Sequence, residues 1–223
     1  MGEIIRNTGL KTEKRHKLVE AAIDEFNEYG LENASYNRII ERSGLSKGSV
    51  YYYFDNKEAL LTAVMEDIGE RILEAVPEKP LPGKLEEYWE AVWDYRQREF
   101  DFFSSNVSLG RVMILSLNSH QPNTGELEGL CPPLGRLVQR QKALIRRGQE
   151  LGAVRDDLSV DILFELMRAL DRPLCVSFFG SGTEDFERLT QEERKESEEN
   201  YTRVFHDLMK RLLQPDARGC AAP

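Results

Sequence analysis

Between Ser35 and Leu61 the chain reads SYNRIIERSGLSKGSVYYYFDNKEALL, and its distinctive chemistry lies in the seven residues Lys47 to Tyr53. Serine and tyrosine hydroxyls donate and accept hydrogen bonds, an ammonium pairs with phosphate, and tyrosine rings can contact thymine methyl groups. The plainer reading of three consecutive tyrosines is a half-buried amphipathic helix. A helix this short that already turns Val50 and Phe54 inward has no room to bury all three as well. Lys47, Ser49, Tyr51, Tyr52 and Tyr53 are therefore expected to face outward. Gly48 lets a partner approach the backbone closely, and the first turn of the helix offers free N–H groups and a partial positive charge that favour phosphate. Ser46 and Ser35 stand at the starts of this helix and the one before it. Lys57 flanks the same side, and both lysines are expected at phosphates rather than as ordinary solvated side chains.

A second group lies further on. Trp89, Trp93, Arg96, Phe100 and Phe103 follow one another at 4-3-4-3 spacing, which is one continuous helical face. Aromatic residues in such a pattern commonly form core. Arg96 interrupts the face, and Arg111 interrupts the apolar run Val107–Leu117 in the same way. A buried guanidinium needs either a protein carboxylate or an anionic ligand, unless its stem carries it out to water. Arg96 or Arg111 is expected to help bind an aromatic or acyl ligand with an anionic group, against Trp89, Trp93, Phe100 and Phe103.

Other chemistries lack their residues. There is no GxSxG elbow, no dinucleotide fingerprint and no P-loop; Gly44-Leu-Ser-Lys-Gly-Ser49 resembles a phosphate loop but lacks its Gly-Lys-Ser/Thr ending. Cys131, Cys175 and Cys220 form no CxxC pair, and His16, His120 and His206 are as scattered. No metal site, cofactor or enzyme activity is expected, and a reducing cytoplasm is the expected setting. The longest charge-free stretch, Val112 to Gly125, is 14 residues, short of the ~20 that a membrane span requires. The first residues carry no long apolar run of a secretory signal.

Net charge is −9, which argues against a polyanion only if the charge is spread evenly. Residues 1–17 carry a net +3 and residues 33–57 a net +2, whereas residues 61–223 carry −8. Two modest basic stretches thus lie at the front, where a phosphate-contacting surface could form.

The elements that must position these residues read as helices throughout, with no run of alternating strands and no internal repeat. Residues 1–11 are expected to be a flexible arm. Thr12 is expected to cap a first helix with Leu18, Val19, Ala22, Ile23 and Phe26 as its apolar stripe, ending at Gly30. Ser35 caps a second helix to Ser43 and Ser46 a third to Tyr53, joined by the Gly-containing turn Ser43-Gly44-Leu45 that a helix-turn-helix uses. Asp55 or Asn56 caps a fourth over 57–76, with Asp55 and Glu58 able to form a capping box. Pro77, Pro80, Pro82 and Gly83 then break the chain. Helices follow over 85–105, 107–119, 134–151, 159 to about 178 with a bend at Pro173, and 191–213. Loops are expected at 121–133 and 180–183, and a disordered tail at 215–223.

From Thr12 to Leu61 the chain resembles the DNA-binding domain of the TetR (tetracycline repressor-like) transcriptional regulators. The resemblance rests on Tyr29-Gly30, Ile39, the run Gly44-Leu-Ser-Lys-Gly-Ser-Val-Tyr-Tyr-Tyr-Phe54, and Asn56-Lys-Glu-Ala-Leu-Leu61. Ile40 departs from it, standing where that family usually has a small Ala, and implies a wider gap around the second helix. The resemblance implies an all-α protein: a DNA-binding domain over 12–61, then a ligand-binding and dimerisation domain over 62–214. It implies a homodimer on a near-palindromic operator, usually as a repressor. Tyr52 would then contact bases, and Ser49, Tyr53 and Lys57 the backbone. The last two long helices, about 160–178 and 192–213, would pair with a second subunit, although the same apolar stripes would serve a monomer core. The effector would be an unknown small molecule, coupled to the operator through the fourth helix. An activator on the same fold, or a helical small-molecule-binding or adaptor protein without operator binding, are the alternatives.

Overall fold

The computed structural model describes residues 2–120, 129, 131–179 and 191–215. Among them there are nine helices and no strand: α1 (Gly2–Asn33), α2 (Tyr36–Ser43), α3 (Lys47–Tyr53), α4 (Lys57–Ala75), α5 (Leu85–Ser105), α6 (Val107–His120), α7 (Pro132–Glu150), α8 (Val160–Phe179) and α9 (Gln191–Leu213). No described helix is long and apolar enough to cross a membrane.

The expected arm is a correction. Helix α1 begins at Gly2, so Thr12 is an interior residue and not a cap. Residues 2–12 contain no proline, and nothing in them stops a helix already formed downstream from propagating backwards. The predicted stop is present: Gly30 sits at φ 73°, ψ 168°, where the helical path breaks before one further turn to Asn33. A residue with a Cβ would be strained there.

Local capping follows the sequence at most starts. Ser35 accepts from the Arg38 N–H, Ser46 from the Ser49 N–H, and Asn56 from the Ala59 N–H. Asn56 rather than Asp55 therefore caps α4, and the Asp55 capping box does not form. Gly44 turns the chain between α2 and α3 at φ 66°. Helix α7 starts two residues earlier than expected, at Pro132, because proline at the first helical positions gives up only an N–H that has no intrahelical partner. The 121–128 stretch, the 180–183 loop and the tail beyond Pro215 lie outside the described residues.

One apolar core takes in residues from every described helix. Leu18, Val19, Ile23 and Phe26 of α1, Ile39 of α2, Val50 of α3 and Leu60, Val64 and Ile68 of α4 form its front, and Tyr88, Leu134, Ile145, Leu163 and Phe164 extend it. Ile40 is accommodated there, 7% exposed. Helix α1 packs against α2, α4 and α6, and α4 packs against α7. At the last contact Gly69 lets the helices meet closely, since a Cβ there would stand 2.8 Å from the Pro133 Cβ.

Candidate nucleic-acid interface and effector region

Helix α2 is held on α1 by a buried carboxylate. Glu25 is 0% exposed and accepts from the Ser35 backbone N–H (2.9 Å) and the Arg38 guanidinium (2.7 Å), with Arg42 at 3.5 Å. Arg42 also pairs with Glu28. Within the turn, the Ser43 hydroxyl donates to the Ile40 carbonyl and accepts from the Leu45 N–H. The Tyr36 hydroxyl donates to the Phe54 carbonyl at 2.6 Å, closing the far end of α3 onto the start of α2.

On this frame α3 turns Val50 fully inward and packs Phe54 against the core. Tyr51 is 46% and Tyr52 70% exposed, and Tyr53 is half-buried, its ring edge-on to Tyr52 with centroids 5.2 Å apart. Tyr51 meets Tyr36 edge-on at 5.6 Å. Ser46, Lys47 and Gly48 are exposed, and the Ser46 and Ser49 hydroxyls lie 3.1 Å apart. The outward set is thus Lys47, Tyr51 and Tyr52 above the capping serines, with Tyr53 partly withdrawn.

Much of the basic charge at the front is matched from within. Besides Arg38 and Arg42, Arg15 pairs with Glu66 at 3.0 Å and Lys17 with Glu13 at 2.8 Å. Lys57 differs most from expectation. Its ammonium donates to the carbonyls of Leu31 (2.8 Å), Glu32 (3.2 Å) and Ala34 (3.2 Å). An ammonium has three protons, so it fastens the α1–α2 connection to the start of α4 and has none left for phosphate.

The aromatic face of α5 divides. Trp89 and Trp93 pack edge-on to His206 of α9, at 6.1 and 4.9 Å, and Phe100 stacks on Tyr201 at 4.7 Å. These side chains join α5 to α9. Arg96 is largely buried, and protein carboxylates hold it: Nη1 donates to Glu99 (2.8 Å) and Nη2 to Asp171 (2.7 Å), with the Phe205 ring 4.2 Å from Cζ. The Tyr201 hydroxyl also donates to Asp171, at 2.8 Å, and Tyr95 and Gln141 donate to Glu99. Burial pushes the Glu99 carboxyl above its ordinary value, against the pull of Arg96. The expected anion site at Arg96 is therefore closed by the chain's own acids. Arg111 is half-buried on α6.

A cavity of about 280 Å³ does exist, between α6 and α8. Phe103 reaches it from the predicted group; Met113, Ile114 and Leu117 of α6 form one wall, and Glu165, Arg168 and Arg172 of α8 the other.

Comparison with known proteins places this arrangement. Residues 18–64 match the family model described as bacterial regulatory proteins, tetR family. An HTH-type transcriptional regulator BetI of Escherichia coli is 33% identical over 181 residues, covering 76% of this chain and 91% of that protein. The chain belongs to the tetR family. Among solved structures, TylP, a TetR regulator from Streptomyces fradiae, has a TM-score of 0.59 at 19% identity, covering 92% of this chain and 89% of that one. FadR from Bacillus subtilis, solved with stearoyl-CoA, has a TM-score of 0.62 at 16% identity, covering 85% and 96%. These two share the fold.

The structure of this tetR-family regulator also brings forward residues that the sequence alone did not single out. Glu25 lies on the same stripe as Leu18 and Ala22, and a carboxylate on a buried stripe is the signal that would have marked it. Glu165, Arg168 and Arg172 recur at spacings of three and four within a largely apolar helix that also carries Asp161 and Asp171, a pattern like the one that singled out Arg96.

Proposed function

We propose that this helix-turn-helix regulator is a ligand-responsive repressor, binding a near-palindromic operator as a homodimer. Residues 12–61 are the reading unit and 62–214 the effector and dimerisation unit. Helix α3 enters the major groove, with Tyr52 at base edges and Ser46, Lys47, Gly48, Ser49, Tyr51 and Tyr53 at the groove walls and backbone. Ser35 contributes as the cap that fixes α2. The observation carrying this reading is that Tyr52 and Tyr51 stand exposed beside Lys47, directly above a fully buried Val50. Seating a second copy on α8 and α9 is supported by four large apolar side chains left exposed there, Ile162, Leu166, Val204 and Leu208. Two reading heads one helical turn of DNA apart explain why the operator is palindromic.

An effector changes operator affinity only by preferring one spacing of the two heads. Two contacts support such coupling here. Helix α6, a wall of the cavity, meets α1 where Asn27 Nδ2 donates to the Ser108 carbonyl (3.1 Å). Helix α4 is tied to α1 by Arg15–Glu66 and Arg71–Glu20.

The test is selection of bound sequences from a random DNA pool, with Tyr52→Ala as control. A palindromic motif that the variant loses is expected. Enrichment of no motif, with only weak binding that moderate salt abolishes, would refute operator recognition.

A further inference from the structure

We infer that the cavity between α6 and α8 takes a small apolar carboxylic acid bearing a hydrogen-bond donor beside its carboxylate, with Arg168 as anchor and Glu165 as the donor's partner. This rests on the ligand-responsive reading above and gives the ligand its chemical class.

Two atoms carry the argument. Arg168 Nη1 is buried without a hydrogen-bond partner, and so is Glu165 Oε1. The two are 3.9 Å apart, too far to bond each other. Buried polar atoms are nearly always partnered, so a donor and an acceptor left bare side by side mark the place of a missing group. That group must accept from Arg168 and donate to Glu165. A carboxylate flanked by an ammonium or hydroxyl, as in an α-amino or α-hydroxy acid, does both.

The surroundings narrow the class. Asp171 also lines the cavity, but its Oδ1 already accepts from Arg96 and Tyr201, which leaves Glu165 as the carboxylate beside Arg168. Among acceptors, a carboxylate is the one that a guanidinium binds most strongly, and a donor beside it answers Glu165. Burial, together with the nearby Arg172 charge, disfavours the Arg168 cation, which a bound anion would relieve. A water could bridge Arg168 and Glu165, but it would leave Met113, Ile114 and Leu117 lining an aqueous void. About 280 Å³ is at the small end of ligand pockets. It suits a molecule of leucine or phenylalanine size and excludes a long acyl chain.

The test is calorimetric titration of the full-length protein, without DNA, with L-phenylalanine, phenyllactate, 3-phenylpropionate and 3-phenylpropanol. Saturable binding of the first two is expected. Phenylpropionate should bind about tenfold more weakly for want of the donor, and phenylpropanol not measurably. Arg168→Gln should abolish binding, and Glu165→Met, which removes the acceptor, should bring phenyllactate and phenylpropionate to within about threefold of each other. If Arg168→Gln does not fold, Arg168→Lys decides: it keeps the charge, loses the planar fork, and should weaken binding about tenfold or more. No binding of either donor-bearing acid, or undiminished binding to a folded Arg168 variant, overturns the inference. Equal binding of phenylpropionate overturns the role of Glu165. A protein that binds none of these acids yet still selects a DNA motif refutes this inference alone. One that binds them but selects no motif refutes the operator reading alone.

Discussion

Lys57→Met separates a structural lysine from a phosphate contact, because the two roles move different observables. The ammonium makes three hydrogen bonds, two of them partly buried, to Leu31 and Ala34, and one exposed, to Glu32. A hydrogen bond to a charged group contributes about 1.5–3 kcal/mol net, and roughly half of that where water can replace the donor. The exposed bond adds little, so the loss is about 2 kcal/mol. At about 2–4 °C per kcal/mol for a chain of this size, Tm should fall by about 4–8 °C. Methionine keeps the apolar stem, so the change isolates the charge. If Lys57 instead neutralised a phosphate, each copy would contribute about 0.9 to the slope of log K against log salt, about 1.8 for a dimer. We expect the variant to melt lower and to retain the wild-type salt slope on its operator. Matched thermal melts at one protein concentration, with fluorescence anisotropy over a salt series, check both. An unchanged Tm with a slope reduced by about 1.8 would refute the reasoning.

Gly148→Ala would drive a Cβ into the Tyr88 ring and the Val154 side chain, both buried, and should cost about 2 kcal/mol, read as a lower midpoint in urea with an unchanged m-value. Burial raises the Glu99 pKa in the folded state, so between the ordinary carboxyl value and that raised value the native protein holds the extra proton. Stability from this group is therefore present below about pH 4.5 and lost as pH rises through the folded pKa. Glu99→Gln should remove that decline, so that its stability relative to wild type improves with pH across the window; a difference that stays constant from pH 4.5 to 8 would contradict it. Ile162→Glu with Leu208→Glu places like charges in the exposed apolar patch of α8 and α9 and should yield monomers by sedimentation equilibrium; a persistent dimer would locate the subunit contact elsewhere.

The local structure was legible because it depends on near neighbours. Ser35, Ser46 and Asn56 are short polar side chains able to bond the N–H three residues on, and Gly30 and Gly44 accept positive φ. Any chain with these residues ahead of apolar helical stripes stops and starts there. The buried stripe of α1 and the inward Val50 followed from period alone, as did the exposed Tyr51 and Tyr52, because a seven-residue helix has one inner face. The start of α1 was misread: composition suggested an arm, yet no residue there forbids a helix to extend.

Which charge meets which was decided by the fold, because partners far apart in sequence are brought together only by packing. Lys57 reaches carbonyls some 25 residues away, Arg96 finds Asp171 75 residues on, and Arg38 folds onto Glu25 across the turn. Lys57 had read as a cation available to phosphate and Arg96 as one available to a ligand. Conversely Arg168 and Glu165 keep bare atoms because the α6 residues that line the cavity across from them, Met113, Ile114 and Leu117, are apolar. Residue type and spacing thus determined the helices and the face that α3 turns outward. Tertiary packing determined which of the charges were already taken, since a Coulomb partner is chosen by distance in space.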